Sequence, residues 1–86
     1  MSYFVYVIGS LKKSRSKTYV GWTKNLSKRL KKHNLGKGAK STRGRKWEMI
    51  YHEIFSSKKN AMRREYYLKK NKNFRKEMRE KYKRII

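Results

Sequence analysis

The stretch from Tyr19 to His33 changes from strand-like to helix-like spacing, and no other feature of the sequence constrains the fold so closely. It begins with the aromatic and β-branched residues that strands favour, and we expect that strand to break at Gly21. Beyond the glycine, Arg29 and His33 are four residues apart and therefore share one face of a helix. The stretch predicts that a strand, a glycine turn and a helix bring a tyrosine, an arginine and a histidine to one end of a small domain.

The predicted helix spans about residues 24–34. Leu26 and Leu30 lie four residues apart, and we expect both to be buried against a sheet. Thr23 or Asn25 can cap the start of the helix, and Gly36 can end it.

Besides this helix, five segments have the spacing of strands or helices, one of them the strand that ends before Gly21. We expect strands at residues 3–8, 17–20 and 47–55, and helices at residues 58–70 and 74–83. The first two strands form a hairpin. The expected fold is an α/β domain with a small three-stranded antiparallel sheet flanked by about three helices, and it occupies residues 1–86 as a single domain.

Two apolar patterns predict which faces are buried. In the third strand, alternation places Met49 and Tyr51 on one face and Ile50 on the other. The last helix follows a break at residues 71–73, and we expect it to pack on the sheet. Its apolar stripe consists of Phe74, Met78, Tyr82 and Ile85.

Glu65 lies within an apolar face of the helix at residues 58–70. Ala61 and Leu68 share that face with it, and a carboxylate there is costly unless it is paired or bound to a metal ion. A cation nearby, Arg64 or Lys69, offers one explanation. A metal ion is the other.

The charge balance predicts the class of partner. The chain has 27 Lys and Arg residues against five acidic ones, which gives a formal net charge of +22. Such a surface attracts polyanions, of which nucleic acid is the most common. An enzyme, a catalytically inactive binding module and a ribosome-associated protein would all show this charge, so it does not decide the activity.

The scarcity of carboxylates and thiols restricts the chemistry. All five acidic residues are glutamates, which are too few and too dispersed for a site that holds two metal ions. A nuclease built from this chain would therefore use one metal ion or none. The chain has no cysteine, and its longest apolar run is too short to span a membrane, so we expect an intracellular protein with no membrane partner.

Residues 36–46 form a basic loop that contains three glycines. Small residues allow close approach of a backbone, and cations pair with phosphates, so the loop predicts a nucleic-acid contact. The alternative is a solvated, disordered loop. The spacing of glycine and lysine in residues 36–46 does not match a nucleotide-binding P-loop, so we expect no nucleotide site here. The predicted nucleic-acid-binding residues are Lys37, Lys40, Arg43, Arg45 and Lys46, joined by Lys69 from the following helix.

Five motifs occur in order along the chain. The tripeptides Phe4-Val5-Tyr6 and Tyr19-Val20-Gly21 are thirteen residues apart from tyrosine to tyrosine, and Arg29 follows Tyr19 by ten residues. Three more motifs follow: His33-Asn34-Leu35-Gly36, Thr42-Arg43-Gly44-Arg45-Lys46-Trp47 and Ala61-Met62-Arg63-Arg64-Glu65. In order and spacing, residues 3–76 resemble the GIY-YIG nuclease superfamily. The small bacterial members and the catalytic domain of the eukaryotic Holliday-junction-cutting subunit are the most similar branches.

This resemblance implies a metal-dependent DNA endonuclease and a role for each of five residues. Glu65 would hold one divalent ion, Mg²⁺ or Mn²⁺, and Arg29 would bind the scissile phosphate. Tyr6 or Tyr19 would orient or deprotonate the attacking water, with assistance from His33, and we expect the surrounding cations to favour the phenolate. Which tyrosine is the base stays open.

The resemblance also implies a substrate. Branched or flapped DNA in repair or recombination is the expectation, with recognition of DNA shape and backbone rather than of base sequence. A scaffold protein is left open as a partner, because the eukaryotic subunit binds its scaffold through a cysteine-rich domain that this chain does not contain. The alternative is a catalytically inactive, basic nucleic-acid-binding module.

Overall fold

A computed structural model describes residues 1–12 and 15–85 and contains one three-stranded sheet. Its strands are β1 (Tyr3–Lys12), β2 (Arg15–Thr23) and β3 (Glu48–Phe55). β1 lies in the middle and pairs antiparallel with both neighbours. The helices are α1 (Leu26–Asn34), α2 (Lys58–Lys70) and α3 (Lys72–Ile85), and a 3₁₀ turn occupies Lys40–Thr42. This arrangement confirms the expected fold class.

Both strands of the hairpin are longer than expected, and Gly21 lies inside β2 rather than at its end. Gly21 pairs with Tyr6 across the sheet. A Cβ atom at this position would lie 2.6 Å from Cζ of Tyr6, closer than two carbon atoms can approach. The prediction of a turn at Gly21 is therefore wrong. The glycine is there because the Tyr6 ring lies against its backbone.

One face of the sheet packs on α2 and α3. Its buried centre combines Val5, Val7 and Val20 from the hairpin with Ala61 and Leu68 from α2. Burial of these apolar side chains fixes the rotation of α2, as the predicted stripe requires.

The opposite face of the sheet packs on α1. Tyr6 and Ile8 from β1 are buried there together with Trp47, which precedes β3. Leu26 and Leu30 of α1 are half-buried against them, as predicted. Tyr6 therefore points away from α2 and toward α1.

A bulge interrupts the pairing of β1 with β3. Val7 pairs with Tyr51 and Ile8 with Met49, so Ile50 is an extra residue on β3. The shift reverses the alternation at this point: Ile50 packs on the α2 side and Met49 on the α1 side. The predicted placement of Met49 on the face of Tyr51 is therefore wrong.

Side-chain caps define the starts of the helices. Asn25 caps α1 by accepting from the backbone of Lys28 at 3.1 Å, and Ser57 caps α2 by accepting from Asn60 at 3.3 Å. Gly36, with φ of 76°, follows the end of α1 in the left-handed conformation that glycine favours.

The break between α2 and α3 is a single residue, Asn71, rather than the three expected. Its side chain accepts from the backbone N–H of Phe74 at 3.0 Å and so starts α3 at Lys72. Phe74 packs on the core and Met78 is buried, whereas the side chains of Tyr82 and Ile85 lie outside the described residues. Within the described ranges, no helix is long and apolar enough to cross a membrane.

Candidate active site

Tyr6 lies at the centre of a group of polar side chains that four elements bring together. Its hydroxyl is within hydrogen-bond distance of His33 and Arg29 of α1, and its ring centroid lies 6.5 Å from that of Tyr19 on β2. The carboxylate of Glu65 on α2 acts electrostatically on the same hydroxyl. Tyr6, Tyr19, Arg29 and His33 thus lie together on the α1 side of the sheet, and Glu65 of α2 is near enough for its charge to act on Tyr6.

A chain of hydrogen bonds runs from Tyr6 into the basic loop. Tyr6 Oη lies 2.7 Å from Nε2 of His33, and Nδ1 of His33 lies 2.9 Å from Oγ1 of Thr42. The Thr42 hydroxyl donates to the backbone carbonyl of Ala39 at 2.8 Å. His33 and Thr42 are fully buried.

The last of these bonds sets the direction of the others. Because Thr42 uses its one proton on Ala39, its oxygen must accept from His33, so Nδ1 of His33 carries the proton. Nε2 is then unprotonated in the neutral imidazole and accepts from the Tyr6 hydroxyl. The arrangement gives the tyrosine a proton acceptor.

Arg29 is the second hydrogen-bond partner of the Tyr6 hydroxyl, besides His33. Its Nε donates to Tyr6 Oη at 3.3 Å, a long contact that raises the pKa of the guanidinium. Burial raises the pKa of Tyr6 above its usual 10, and the hydrogen bond and charge of Arg29 only partly offset this. The expectation that surrounding cations favour the phenolate is therefore wrong for Tyr6, because desolvation is the larger effect.

His33 is held neutral and tightly packed. Burial, and next the charge of Arg29, lower the pKa of its imidazole below the usual 6.5. Gly38 lies directly against the ring: a Cβ atom there would be 2.9 Å from Cε1 of His33. Gly38 therefore leaves room for the imidazole, and this explains the glycine without any contact to nucleic acid.

Asn34, which follows His33, and Trp47, which precedes β3, anchor the loop between α1 and β3. The Asn34 side chain accepts from the backbone N–H of Trp47 at 2.6 Å and donates to the carbonyl of Trp47 at 3.1 Å. Nε1 of Trp47 donates to the carbonyl of Thr42 at 2.8 Å. These bonds hold Thr42 beneath His33, so the loop between α1 and β3 is an ordered part of the site.

Lys69 connects Glu65 with Tyr19. Its Nζ lies 3.5 Å from Oε2 of Glu65 and 5.6 Å from the Tyr19 ring centroid, and that ring lies 5.0 Å from the ring of His33. Of the two cations considered for Glu65, Lys69 is the partner. Arg64 instead contacts Glu53 through two hydrogen bonds of 2.8 and 3.0 Å.

Among the described side chains that the preceding contacts bring together around Tyr6, Glu65 is the one carboxylate. In the part of the chain that the structure describes, no three His, Cys, Asp or Glu side chains are grouped to hold an ion. One half-buried carboxylate fits Mg²⁺ or Mn²⁺, because such ions keep several waters and use substrate phosphate oxygens as ligands. It does not fit an ion that requires a cage of protein ligands.

The predicted nucleic-acid-binding cations lie on the outside of the loop and of α2. All six are exposed except Arg45, which is half-buried. They are Lys37, Lys40, Arg43, Arg45, Lys46 and Lys69. The loop thus has a cationic outer surface, while Thr42 and Gly38 face inward to His33.

Thr42 and Gly38 are site residues that the sequence interpretation did not single out. Thr42 belongs to the basic motif, but a distance of nine residues from His33 gives no sign of a contact between them. Gly38 was interpreted as an aid to close approach of nucleic acid. The signal available in the sequence was the scarcity of histidine, because a buried imidazole needs a hydrogen-bond partner nearby.

The chain matches known proteins over most of its length. Residues 2–82 match the model of the GIY-YIG catalytic domain. The UPF0213 protein CPE1444 of Clostridium perfringens is 50% identical over 68 residues, which is 78% of this chain and 70% of that protein. The UPF0213 protein YazA of Bacillus subtilis is 45% identical over 78 residues, which is 90% of this chain and 76% of that protein.

A solved structure shares the fold. The solution NMR structure of the UPF0213 protein BH0048 from Bacillus halodurans is 41% identical and superposes with a TM-score of 0.50. The match covers 90% of this chain and 80% of that one. The GIY-YIG domain implies nuclease activity, typically with a divalent metal ion. With its motifs, its sheet and these relatives in agreement, the chain belongs to the GIY-YIG family and, within it, to the small bacterial UPF0213 proteins.

Proposed function

We propose that this chain is a metal-dependent DNA endonuclease that hydrolyses phosphodiester bonds with Tyr6 as the base. The observation that carries the proposal is the hydrogen bond from Tyr6 to Nε2 of His33, since it gives the tyrosine a neutral acceptor for its proton. Tyr19 contacts the same imidazole only through its ring. Tyr19 is assigned to orientation of the water.

Proton transfer follows the hydrogen-bond chain. The attacking water gives a proton to Tyr6 Oη while Tyr6 gives its own to Nε2 of His33, and the imidazolium keeps its Nδ1–H on Thr42. The raised pKa of Tyr6 and the lowered pKa of His33 mean that the two transfers occur together. A free phenolate beforehand would be unfavourable.

Arg29 has to move for this step. Tyr6 is fully buried, and Arg29 donates to its oxygen. A phosphate that binds the guanidinium in two places offers stronger hydrogen bonds than one phenol at 3.3 Å. Arg29 would turn to the non-bridging oxygens, neutralise the charge that develops there, and expose the Tyr6 oxygen to the water.

Glu65 is the residue that would hold the divalent ion, Mg²⁺ or Mn²⁺. When bound, the ion supplies positive charge to the scissile phosphate. Release of Glu65 from Lys69 frees an ammonium for the DNA backbone. Water attacks phosphorus, the bond to the 3′ oxygen breaks, and the products are a 5′-phosphate and a 3′-hydroxyl that takes its proton from solvent.

We assign branched or flapped DNA as the substrate, with a role in repair or recombination inside the cell. The net charge of +22 and the exposed cations of the loop support the DNA backbone as the ligand, and the choice of branched DNA rests on the family resemblance. Residues 1–86 act as one domain in this proposal, and a scaffold partner is not required for it.

The test compares cleavage and binding of labelled linear, flap and four-way-junction DNA. Wild type with Mg²⁺ or Mn²⁺ should cleave a branched DNA. Glu65→Ala, Tyr6→Phe and His33→Ala should lose cleavage by about 100-fold or more while binding persists. Tyr19→Phe removes the hydroxyl but keeps the ring contacts, so it should lose less cleavage activity.

The outcomes separate the alternatives. Loss in Tyr19→Phe that exceeds loss in Tyr6→Phe would reassign the base to Tyr19. Binding of all three DNAs without cleavage by wild type, in either metal, would overturn the enzyme and leave the catalytically inactive binding module.

A further inference from the structure

The exposed side of α2 carries three large apolar side chains in one patch. Met62, Tyr66 and Tyr67 are 46%, 59% and 57% exposed. The opposite side of the same helix buries Ala61 and Leu68 in the core, so the rotation of α2 is fixed and these three residues must face outward. Together with Lys70 we call them the Tyr66 face.

Cations alternate with the rings on this face. Nζ of Lys70 lies 4.4 Å from the ring centroid of Tyr66, and Cζ of Arg64 lies 5.4 Å from that of Tyr67. Exposed cation–π contacts of this kind are weak, so a ligand can displace them. The rings are available to a flat partner.

Two surface cavities meet at Tyr66. One, of about 660 Å³, is lined by Met62, Tyr66 and Glu65 together with the cations Lys58, Lys59 and Arg63. The other, of about 540 Å³, is lined by Tyr66 and Tyr67 with Lys70 and Lys72 among its polar residues. Glu65 is the one carboxylate among the residues that line the two cavities. The face therefore extends from the proposed metal ligand toward the end of α2.

This alternation matches the chemistry of an unpaired nucleic-acid strand. Each base presents a flat π surface that stacks on tyrosine, and each linking phosphate pairs with lysine or arginine. A protein partner fits less well, because it would have to desolvate five cations around three apolar side chains. Paired bases fit poorly as well, because their π surfaces are already stacked within the duplex.

We propose that the Tyr66 face binds unpaired nucleotides of DNA, with a base stacked on Tyr66 and the adjoining phosphates on Lys70 and Arg63. The position of this site beside the scissile phosphate rests on the proposed function, since it depends on the role of Glu65. Binding itself needs neither metal nor cleavage.

The test measures affinity by fluorescence anisotropy in EDTA, with a labelled single-stranded oligodeoxythymidylate and a labelled duplex of equal length. Tyr66→Ala should bind the single strand about tenfold more weakly and the duplex within about twofold of wild type. Tyr66→Phe keeps the ring and should match wild type. Ile54→Ala removes an equally exposed apolar side chain, 64% exposed on β3, and should change neither affinity.

A probe with abasic sites separates stacking from charge. It keeps every phosphate but lacks bases, so wild type should bind it as weakly as Tyr66→Ala binds the intact strand. Tyr66→Ala should bind the intact and abasic strands equally.

Two results would overturn the proposal. One is an equal effect of Tyr66→Ala on single strand and duplex. The other is a wild-type dimer that Tyr66→Ala converts to a monomer in sedimentation, which would make the face a contact between copies. If Tyr66 supports binding of the single strand as expected but wild type cleaves no branched DNA, the proposed nuclease activity is overturned and the proposed binding site is retained.

Discussion

Tyr6 and His33 are joined by a hydrogen bond of 2.7 Å whose direction is set from outside the pair. The Thr42 hydroxyl, committed to the carbonyl of Ala39, obliges Nδ1 of His33 to carry the proton. The loop between α1 and β3 therefore leaves Nε2, the nitrogen that faces the tyrosine, without a proton. Thr42, which is fully buried, thus determines whether Nε2 of His33 can accept the proton of Tyr6.

Thr42→Val should change the tautomer of His33 while it conserves volume. Without the hydroxyl, a buried Nδ1–H has no acceptor, an arrangement that costs about 1–3 kcal/mol, so the proton should move to Nε2. Nitrogen chemical shifts of ¹⁵N-labelled histidine report the tautomer directly, and cleavage should slow by about tenfold or more.

Thr42→Ser is the matched control for that change. It keeps the oxygen and should keep both the tautomer and the rate. An unchanged Nδ1–H signal in Thr42→Val would show that Thr42 does not set the tautomer, whatever the cleavage assay gives.

The pH dependence of single-turnover cleavage should follow His33. Burial and Arg29 lower the pKa of the imidazole, so the fraction able to accept a proton rises as pH rises through a value below 6.5. Tyr6, with its pKa raised above 10, adds no step below about pH 9. His33→Gln should abolish the inflection below 6.5, and an inflection that survives this variant would assign it to another group.

The fold could be predicted because its signals are local. The alternation of strands, the stripe of α2 and the cap at Asn25 all depend on residues close together in sequence. The bulge at Ile50 could not, because a strand with an extra residue has the same pattern of types until its partner is known. As a result, two side chains, Met49 and Ile50, were assigned to the wrong face relative to Tyr51.

The sequence predicted that Tyr6, Tyr19, Arg29 and His33 lie close together, but it did not predict the contacts that join them. Glycine at position 21 signals either a turn or a close approach, and the choice depends on Tyr6, which stands opposite only once the register is set. The effect of charge on Tyr6 was misjudged because burial cannot be read from a cation-rich composition. The contact of Thr42 with His33 depends on the path of a whole loop.

Gly38→Ala should impair the site at little cost to the rest of the fold. The new Cβ would lie 2.9 Å from Cε1 of His33, and the imidazole is fully buried, so the ring must shift from its present position relative to Tyr6. Since the hydrogen bond of 2.7 Å depends on that position, we expect cleavage to fall by about tenfold or more.

Gly44→Ala separates the two uses of glycine. Nothing lies within 4 Å of its added Cβ, but its φ of 78° disfavours alanine by about 1 kcal/mol. Urea unfolding should register that loss, with cleavage of the folded protein unchanged. A Gly38→Ala protein with full activity would show that the ring can shift without consequence.

Glu53→Gln should destabilise the fold without any effect on the site. Arg64 donates twice to this half-buried carboxylate, and the Tyr51 hydroxyl donates to it as well. Hydrogen bonds to a charged group contribute about 1.5–3 kcal/mol, and the exposure of Arg64 places the expected loss near the lower figure.

The pH dependence of that loss has a definite sign. The hydrogen bonds from Arg64 lower the pKa of Glu53 below its usual 4.5, so its contribution is complete above 4.5 and disappears as pH falls through the folded-state pKa. Urea unfolding at pH 7 and at pH 3 should therefore show a difference between wild type and Glu53→Gln that shrinks at the lower pH. Glu77→Gln is the control, since its exposed pair with Lys81 spans 3.8 Å and should contribute less than about 0.5 kcal/mol at either pH. Equal losses in the two variants would mean that the contacts of Glu53 with Arg64 and Tyr51 stabilise the fold no more than a surface ion pair does.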